Sequence, residues 1–134
     1  MPVSGYTTVA VDTVNELMYI FWRSDYPDTI ANYNVTCWDY DNEETVWTKK
    51  TPNAYGAMQG CDYYNGLIYI TYGLGTSAVP SGFVIFNSNI DIIGEYMLDV
   101  ISATEPEGVA INRNNGDMYV SIQNKNVYKL NILK

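Results

Sequence analysis

The sequence predicts an all-β fold made of β-propeller blades, and three observations indicate it. A motif of a strand, a polar turn and an apolar–tyrosine–β-branched triplet occurs three times, which places Tyr19, Tyr69 and Tyr119 at intervals of 50 residues. Turn residues such as Asn65-Gly66 separate the runs of strand length. No segment has the 3.6-residue apolar period of a helix. We therefore expect no helix longer than a turn or two.

Several of these runs are apolar on both faces, as in Leu17–Trp22, Leu67–Tyr72 and Met118–Ile122. A sheet with one face in water alternates polar and apolar residues. A propeller blade lies between two neighbours and buries both of its faces. The alternative fold, a β-sandwich, would show more alternation and no 50-residue period.

The repeats cover about residues 6–50, 55–100 and 105–134 of a single domain spanning residues 1–134. We expect strands at Thr7–Asp12, Leu17–Trp22, Asn34–Tyr40, Thr45–Lys49, Met58–Tyr63, Leu67–Tyr72, Phe83–Asn87, Ile92–Leu98, Val109–Asn112, Met118–Ile122 and Val127–Ile132. The last repeat lacks a fourth strand, and propellers typically close with about 4–8 blades. The chain is therefore expected to be a partial propeller that other propeller segments or a homo-oligomer complete.

Charge and hydropathy argue against two classes of partner. The net charge is −8, and the seven Lys and Arg residues are scattered, whereas nucleic-acid binders cluster their cations. An anionic membrane surface is disfavoured for the same reason. No apolar run approaches the roughly 20 residues that cross a bilayer. The first residues, MPVSGY, lack the pattern of a secretory signal peptide. We expect neither nucleic acid nor membrane as a partner.

The residue types for several catalytic chemistries are missing. Histidine is absent, which removes Ser-His and Cys-His nucleophile pairs and histidine-based metal sites. Cys37 and Cys61 form neither a disulfide framework nor a zinc spacing, and we interpret both as buried free thiols. The sequence therefore predicts a protein that is not an enzyme, with no catalytic residue, no metal site and no cofactor.

Two short motifs carry a family resemblance. Met58-Gln59-Gly60 begins the second repeat, and Glu105-Pro106-Glu107-Gly108 begins the third. Together with Ile68-Tyr69 and Phe83–Phe86 they resemble the propeller domain of phage receptor-binding proteins, which is similar to the teichoic acid biosynthesis protein C propellers of Gram-positive phages and bacteria. The resemblance covers about residues 55–122. The first repeat departs from the pattern, since Thr7-Thr8 occupies the corresponding position.

The resemblance implies a viral protein of the phage tail, located in the virion or on an extracellular surface. Its function would be receptor binding and host attachment, by non-catalytic carbohydrate binding to a cell-surface glycan or wall teichoic acid. The 13 Tyr and 3 Trp are compatible with this, because flat aromatic rings suit sugar rings. A chain of charge −8 would repel the phosphate-linked teichoic backbone. Recognition would then depend on neutral sugar substituents or on a bridging cation.

Candidate ligand-binding residues lie on one predicted rim. In a four-stranded blade, the loops that lead into strand one and the loops that join strands two and three share a face. That rim is expected to gather residues 22–33, 55–59, 72–82, 104–107 and 123–126. The candidates for ligand contact are Trp22, Arg23, Asp25, Tyr26, Gln59, Tyr72, Glu105 and Glu107. Gln59 and Glu107 have a structural alternative, which is to hydrogen-bond backbone and hold the blades in register.

Two other functions remain open from the sequence. The chain could be a structural virion assembly module without a ligand, whose strand edges pair with another chain. It could also be a metal-dependent lactonase-like hydrolase that uses Glu107 on a divalent ion. That site would need Asn112, Asp12 and Asp62 as further oxygen ligands, but we expect these three at the opposite rim from Glu107.

Overall fold

The computed structural model of the protein describes residues 3–98, 105–123 and 126–131, and within these ranges it contains strands and turns but no helix. The strands are β1 (Tyr6–Asp12), β2 (Leu17–Arg23), β3 (Asn34–Asp39), β4 (Glu44–Lys50), β5 (Met58–Tyr64), β6 (Leu67–Tyr72), β7 (Gly82–Asn87), β8 (Ile92–Met97), β9 (Pro106–Ile111), β10 (Met118–Ile122) and β11 (Val127–Leu130). The all-β prediction is confirmed. Strand bounds differ from the expected ones by at most three residues, and the predicted end of the last strand at Ile132 lies outside the described residues.

The strands form three antiparallel sheets, one for each sequence repeat. The first sheet has the order β1-β2-β3-β4, the second β5-β6-β7-β8 and the third β9-β10-β11. Each strand pairs with its neighbour in the chain, so every connection within a sheet is a hairpin. As the sequence predicts, the third sheet has three strands among the described residues.

The hairpin turns follow the local chemistry. Asn65 and Gly66 between β5 and β6 both have positive φ, at 51° and 82°, as a tight two-residue hairpin requires. The turn between β1 and β2 instead depends on Asp12, whose carboxylate accepts hydrogen bonds from the backbone of Val14 and Asn15. Asp39 forms the same arrangement after β3, with Asn42 in the place of Asn15.

The sheets stack face to face and enclose two apolar layers. Between the first and second sheets, Phe21 stacks on Phe86 with ring centroids 5.7 Å apart, and both rings are fully buried. Between the second and third sheets, the buried side chains are Phe83, Ile85, Leu98, Ile111, Met118, Val120 and Ile122. Burial of strand residues on both faces of the second sheet explains the apolar runs in the sequence.

The three repeated tyrosines occupy one structural position but have different surroundings. Tyr19 is buried and stacks on Tyr63 of the second sheet at 6.0 Å, and burial raises the pKa of its phenol. Tyr69 packs against the layer between the second and third sheets. Tyr119 is half-buried on the outer face of the third sheet. The same residue therefore has a neighbouring sheet in the first two repeats and none among the described residues in the third.

Polar contacts connect the first strands of successive sheets. The Thr8 hydroxyl of β1 donates to the backbone oxygen of Gln59 in β5, at 2.9 Å. The Asp62 carboxylate of β5 accepts from the backbone N–H of Ile111 in β9, at 2.8 Å, and pairs with Arg113 at 2.6 Å. β1, β5 and β9 consequently lie side by side, and the ends at which they begin are brought together.

The carboxylate of Asp12 makes stability depend on pH. Burial acts to raise its pKa, but hydrogen bonds led by those from Asn15 outweigh burial and hold the pKa below the ordinary 3.8. A lowered folded-state pKa contributes stability above the unfolded pKa, and this contribution is lost as the pH falls through the folded pKa. We expect Asp12→Asn to destabilise by about 1 kcal/mol at pH 7, since an amide cannot accept from both Asn15 donors. Urea unfolding should show this difference shrinking as the pH falls below the ordinary pKa of 3.8. An unchanged difference would contradict the assignment.

Candidate functional site

A cleft of about 410 Å³ opens where β1, β5 and β9 begin. Its walls come from all three sheets and from the loops that follow β2 and β6. The lining residues are Tyr6, Thr7, Tyr26, Pro27, Asp28, Ala57, Met58, Gln59, Leu74, Glu105 and Glu107. The cleft therefore depends on the way the sheets stack and not on any single repeat.

Hydrogen bonds to the main chain fix the floor of the cleft. The backbone N–H of Met58 donates to the hydroxyl of buried Tyr33 at 2.9 Å. Thr8 holds the backbone oxygen of the next residue, Gln59, as described above. These two hydrogen bonds fix the main chain before and after the Gln59 side chain, and so fix where that side chain enters the cleft.

Gln59 and Glu105 form the polar centre of the site. The Gln59 amide Nε2 donates to the Glu105 carboxylate Oε1, and both residues are partly exposed. The backbone oxygen of Glu105 accepts from the N–H of Gln123 at 3.0 Å, which fixes its main chain. Glu107 lies two residues further along, and it is exposed. The cleft thus offers carboxylate and amide oxygens as hydrogen-bond acceptors, with one amide as a donor.

Two exposed tyrosines form an aromatic wall. Tyr6 and Tyr26 pack edge to face, with ring centroids 5.4 Å apart and an interplanar angle of 90°. Tyr26 is 64% exposed and Tyr6 is 45% exposed, although both contact other residues of the cleft wall. Exposed aromatic rings beside hydrogen-bonding groups are typical of sites that bind amphipathic ligands such as sugars.

The charge of the cleft is negative. Asp28, Glu105 and Glu107 contribute three carboxylates, and no Lys or Arg lines it among the described residues. A polyanion would meet repulsion here, because low-dielectric walls concentrate the field of like charges. The arrangement suits a neutral or cationic ligand.

The structure brings together four of the eight residues that the sequence proposed, namely Tyr26, Gln59, Glu105 and Glu107. The other four do not line the cleft. Tyr72 is 7% exposed and packs on Tyr55 at 5.0 Å, and burial with the charge of Glu95 raises its pKa to about 12. Trp22 lies on the outer face of the first sheet, where its indole N–H donates to Thr36 at 3.0 Å.

Arg23 and Asp25 organise the loop that carries the aromatic wall. The Arg23 guanidinium is buried and donates to both Asp25 carboxylate oxygens, at 3.1 and 2.6 Å. It also donates to the backbone oxygen of Thr29 at 2.7 Å and lies 5.5 Å from the centre of the Tyr33 ring. Its Nη2 donates to the Thr29 hydroxyl as well. Arg23 is a positioning residue for Tyr26, since it fixes both ends of the loop segment that contains it.

Among the lining residues, Tyr6 and Thr7 lie outside the predicted rim, whereas Asp28 and Leu74 lie within its ranges but were not named as candidates. Tyr6 and Thr7 occupy the start of β1, the place that Met58 and Gln59 take in β5. That alignment of strand starts was the available signal, but Thr7-Thr8 lacks the motif that marks the other two repeats. Leu74 belongs to the loop between β6 and β7, which the sequence placed on the rim, and nothing in the sequence distinguishes it from the other residues of that loop.

The carboxylates of the lactonase hypothesis do not converge on Glu107. Asp12 is occupied by its own turn, and Asp62 is occupied by Arg113 and the backbone of Ile111. Among the described residues no group of three or more Cys, Asp and Glu side chains is arranged to hold a metal ion.

The two cysteines are free, and burial raises the pKa of the Cys37 thiol to about 11. Cys37 is buried, as expected, whereas Cys61 is only partly so.

The chain matches no protein-family model, and no curated protein matches it in sequence. In the part of the chain that the structure describes, no helix has the length and apolarity needed to span a membrane.

Proposed function

We propose that the three sheets are blades of a β-propeller and that the cleft binds an uncharged sugar of a cell-surface glycan or wall polymer. The protein would act without catalysis, as a receptor-binding module of a phage tail or a similar attachment protein. The observation that carries this proposal is the convergence of two exposed tyrosines with the Gln59–Glu105 pair in one cleft.

The sheet arrangement supports the propeller interpretation. Each sheet is a four-stranded or three-stranded meander whose first strand lies against the first strand of the next sheet. Both faces of the second sheet are covered by its neighbours. Strands β1, β5 and β9 would be the innermost strands of successive blades, and the cleft would lie at one end of the central channel.

The negative charge of the cleft indicates which part of a wall polymer it can bind. Sugar hydroxyls can donate to carboxylate oxygens and accept from the Gln59 amide, while an apolar face of the ring contacts tyrosine. A phosphate-linked backbone would be repelled by Asp28, Glu105 and Glu107. A neutral sugar substituent on a wall polymer fits the site better than the polymer backbone does.

The second candidate function is a structural assembly module. The observation that favours it is the pair of sheet faces at the two ends of the stack, which present partly exposed apolar side chains. This candidate predicts no saturable glycan binding, so the experiment below separates the two.

We expect Tyr26→Ala to weaken glycan binding by about 1–3 kcal/mol, the scale of an aromatic anchor at an interface. Its side chain is 64% exposed, so stability should change little. Isothermal titration with a soluble, sugar-substituted wall polymer is the measurement.

Tyr128→Ala is the matched control, because Tyr128 is an exposed tyrosine of β11 that does not line the cleft. This variant should bind as the wild type does. Equal affinities for all three proteins would exclude Tyr26 as a contact. Absence of any binding by the wild type would favour the assembly module.

A further inference from the structure

The second strands of the three sheets have equivalent side chains that point in one direction along the stack. In the second sheet, Ile68, Ile70 and Tyr72 are buried against the first sheet. Residues 50 positions later, Met118, Val120 and Ile122, are buried in the layer between the second and third sheets. We call the side of each sheet that carries these second-strand positions its leading face. In the second and third sheets, the leading face packs on the preceding sheet.

The leading face of the first sheet has no described sheet against it. Its equivalent residues, Met18, Ile20 and Trp22, lie 50 positions before those of the second sheet. Met18 and Trp22 are only partly buried, whereas their counterparts Ile68 and Tyr72 are buried; Ile20, between them, is buried as its counterpart Ile70 is. Val11, which pairs with Met18 across the sheet, is 43% exposed.

The opposite side of each sheet is its trailing face, which packs on the next leading face. In the first sheet this face carries Tyr19, and in the second sheet it carries Tyr69. In the third sheet the equivalent Tyr119 borders a shallow apolar groove of about 260 Å³. The groove is also lined by Gly108, Val109, Ala110, Ser121 and Val127.

We propose that two copies of this chain associate head to tail, with the leading face of each first sheet packed on the trailing face of the partner's third sheet. The contact would repeat the one that already joins the first sheet to the second and the second to the third. Two copies of a three-sheet chain would form two such contacts and close a ring of six sheets. That number lies within the roughly 4–8 blades with which propellers close. The closure rests on the propeller architecture proposed above but not on the ligand.

A second copy fits these faces better than an unrelated partner does. The leading-face positions of the three repeats are apolar at Met18, Ile68 and Met118, and the trailing-face position is tyrosine at Tyr19, Tyr69 and Tyr119, so the two end faces share these features of the joined pairs. The leading face is apolar, with Val9, Val11, Met18 and Trp38 on its surface. Among the described residues, the trailing face of the third sheet has one cation, Lys129, and this pairs with Asp117 of its own sheet at 2.8 Å. On the leading face, Lys50 of the outer strand β4 lies in register with Asn34 and Trp22, so its charge would lie at the edge of the contact.

Sedimentation equilibrium of the full chain gives the first test. We expect a mass of twice 15.1 kDa at about 50 µM, above the dissociation constants usual for such contacts. A mass of 15.1 kDa would overturn the proposal, and a mass well above twice that value would overturn closure by two copies.

Three valine-to-lysine variants test the orientation. Val11→Lys alters the leading face and Val127→Lys the trailing face, at side chains that are 43% and 66% exposed, so the fold should tolerate both. Val14→Lys is the control, in a turn residue that is 88% exposed. Each face variant alone should sediment at 15.1 kDa, and the control should remain dimeric.

An equimolar mixture of the two face variants is the decisive sample. In this mixture the Val127→Lys chain keeps an intact leading face and the Val11→Lys chain keeps an intact trailing face. One chain of each kind should therefore associate into a two-chain species. A mixture that stays at 15.1 kDa, or a Val127→Lys variant that remains dimeric alone, would overturn the head-to-tail arrangement. Glycan binding by the monomeric variants is measured in a separate titration. A result that rules out the two-chain ring would therefore not decide whether the cleft binds glycan.

Discussion

Replacing Gly60 with alanine should lower the free energy of unfolding by about 2–3 kcal/mol, the cost of overpacking a site that cannot relax. A Cβ built at Gly60 lies 2.6 Å from the backbone nitrogen of Val109 and 2.7 Å from Gly108 Cα. These are main-chain atoms of β9, so no side chain can rotate away. The loss would come from forcing β5 and β9 apart, which is the contact that joins the second and third sheets.

Gly108→Ala is the matched control for this prediction. Its added Cβ would meet the Ser121 hydroxyl oxygen at 2.6 Å, and this atom can move by rotation about one bond. We expect a loss below about 1 kcal/mol. Guanidinium unfolding of both variants compares them directly. Equal losses would contradict the close approach of β5 and β9 as the reason for glycine at position 60.

Replacing Arg23 with methionine should destabilise the protein by about 2 kcal/mol and also weaken glycan binding by about 1 kcal/mol. The stability loss arises from the missing hydrogen bonds to Thr29 and from poorer packing against Tyr33. Asp25 is solvent-exposed, so its charge stays hydrated without its partner. Binding weakens because the loop that carries Tyr26 must then be ordered when the ligand binds.

Arg113→Met is the control for the arginine change. Arg113 pairs with Asp62 away from the cleft, and its side chain is 55% exposed, so the pair is worth at most about 1 kcal/mol. Denaturant unfolding and calorimetric titration should show a small stability loss and unaltered binding. If Arg23→Met matched this control in both measurements, Arg23 would not position the loop.

The strands were predictable because each carries its own local signal. Leu67–Tyr72 is apolar on both faces, and Asn65-Gly66 precedes it, so the period and the turn agree. The fifty-residue repeat then gave the number of sheets. Asn87 and Asn89 marked the turn between β7 and β8 as well, but no signal indicated its conformation: Ile90 has a φ of 66°, which is strained for a β-branched residue, and it is 2% exposed. Burial of this side chain in the core offsets the strain.

The site was only partly predictable, because it depends on contacts between repeats. Gln59 and Glu105 lie 46 positions apart in the sequence and are neighbours only after the sheets stack. Tyr6 had no motif around it. Arg23 was proposed as a ligand contact because of its place on the predicted rim, but hydrogen bonds to Asp25 and Thr29 allow its side chain to be buried. Residues 104, 124 and 125 of the predicted rim lie outside the described residues.

Retention on purified cell walls tests the central claim most directly. The wild type and Tyr26→Ala would be incubated with intact walls and with walls stripped of their glycopolymers, and the bound fraction would be measured for each. Glycan binding through the cleft predicts strong retention of the wild type on intact walls, with losses both on stripped walls and for Tyr26→Ala. Equal retention of the wild type on intact and stripped walls would contradict it.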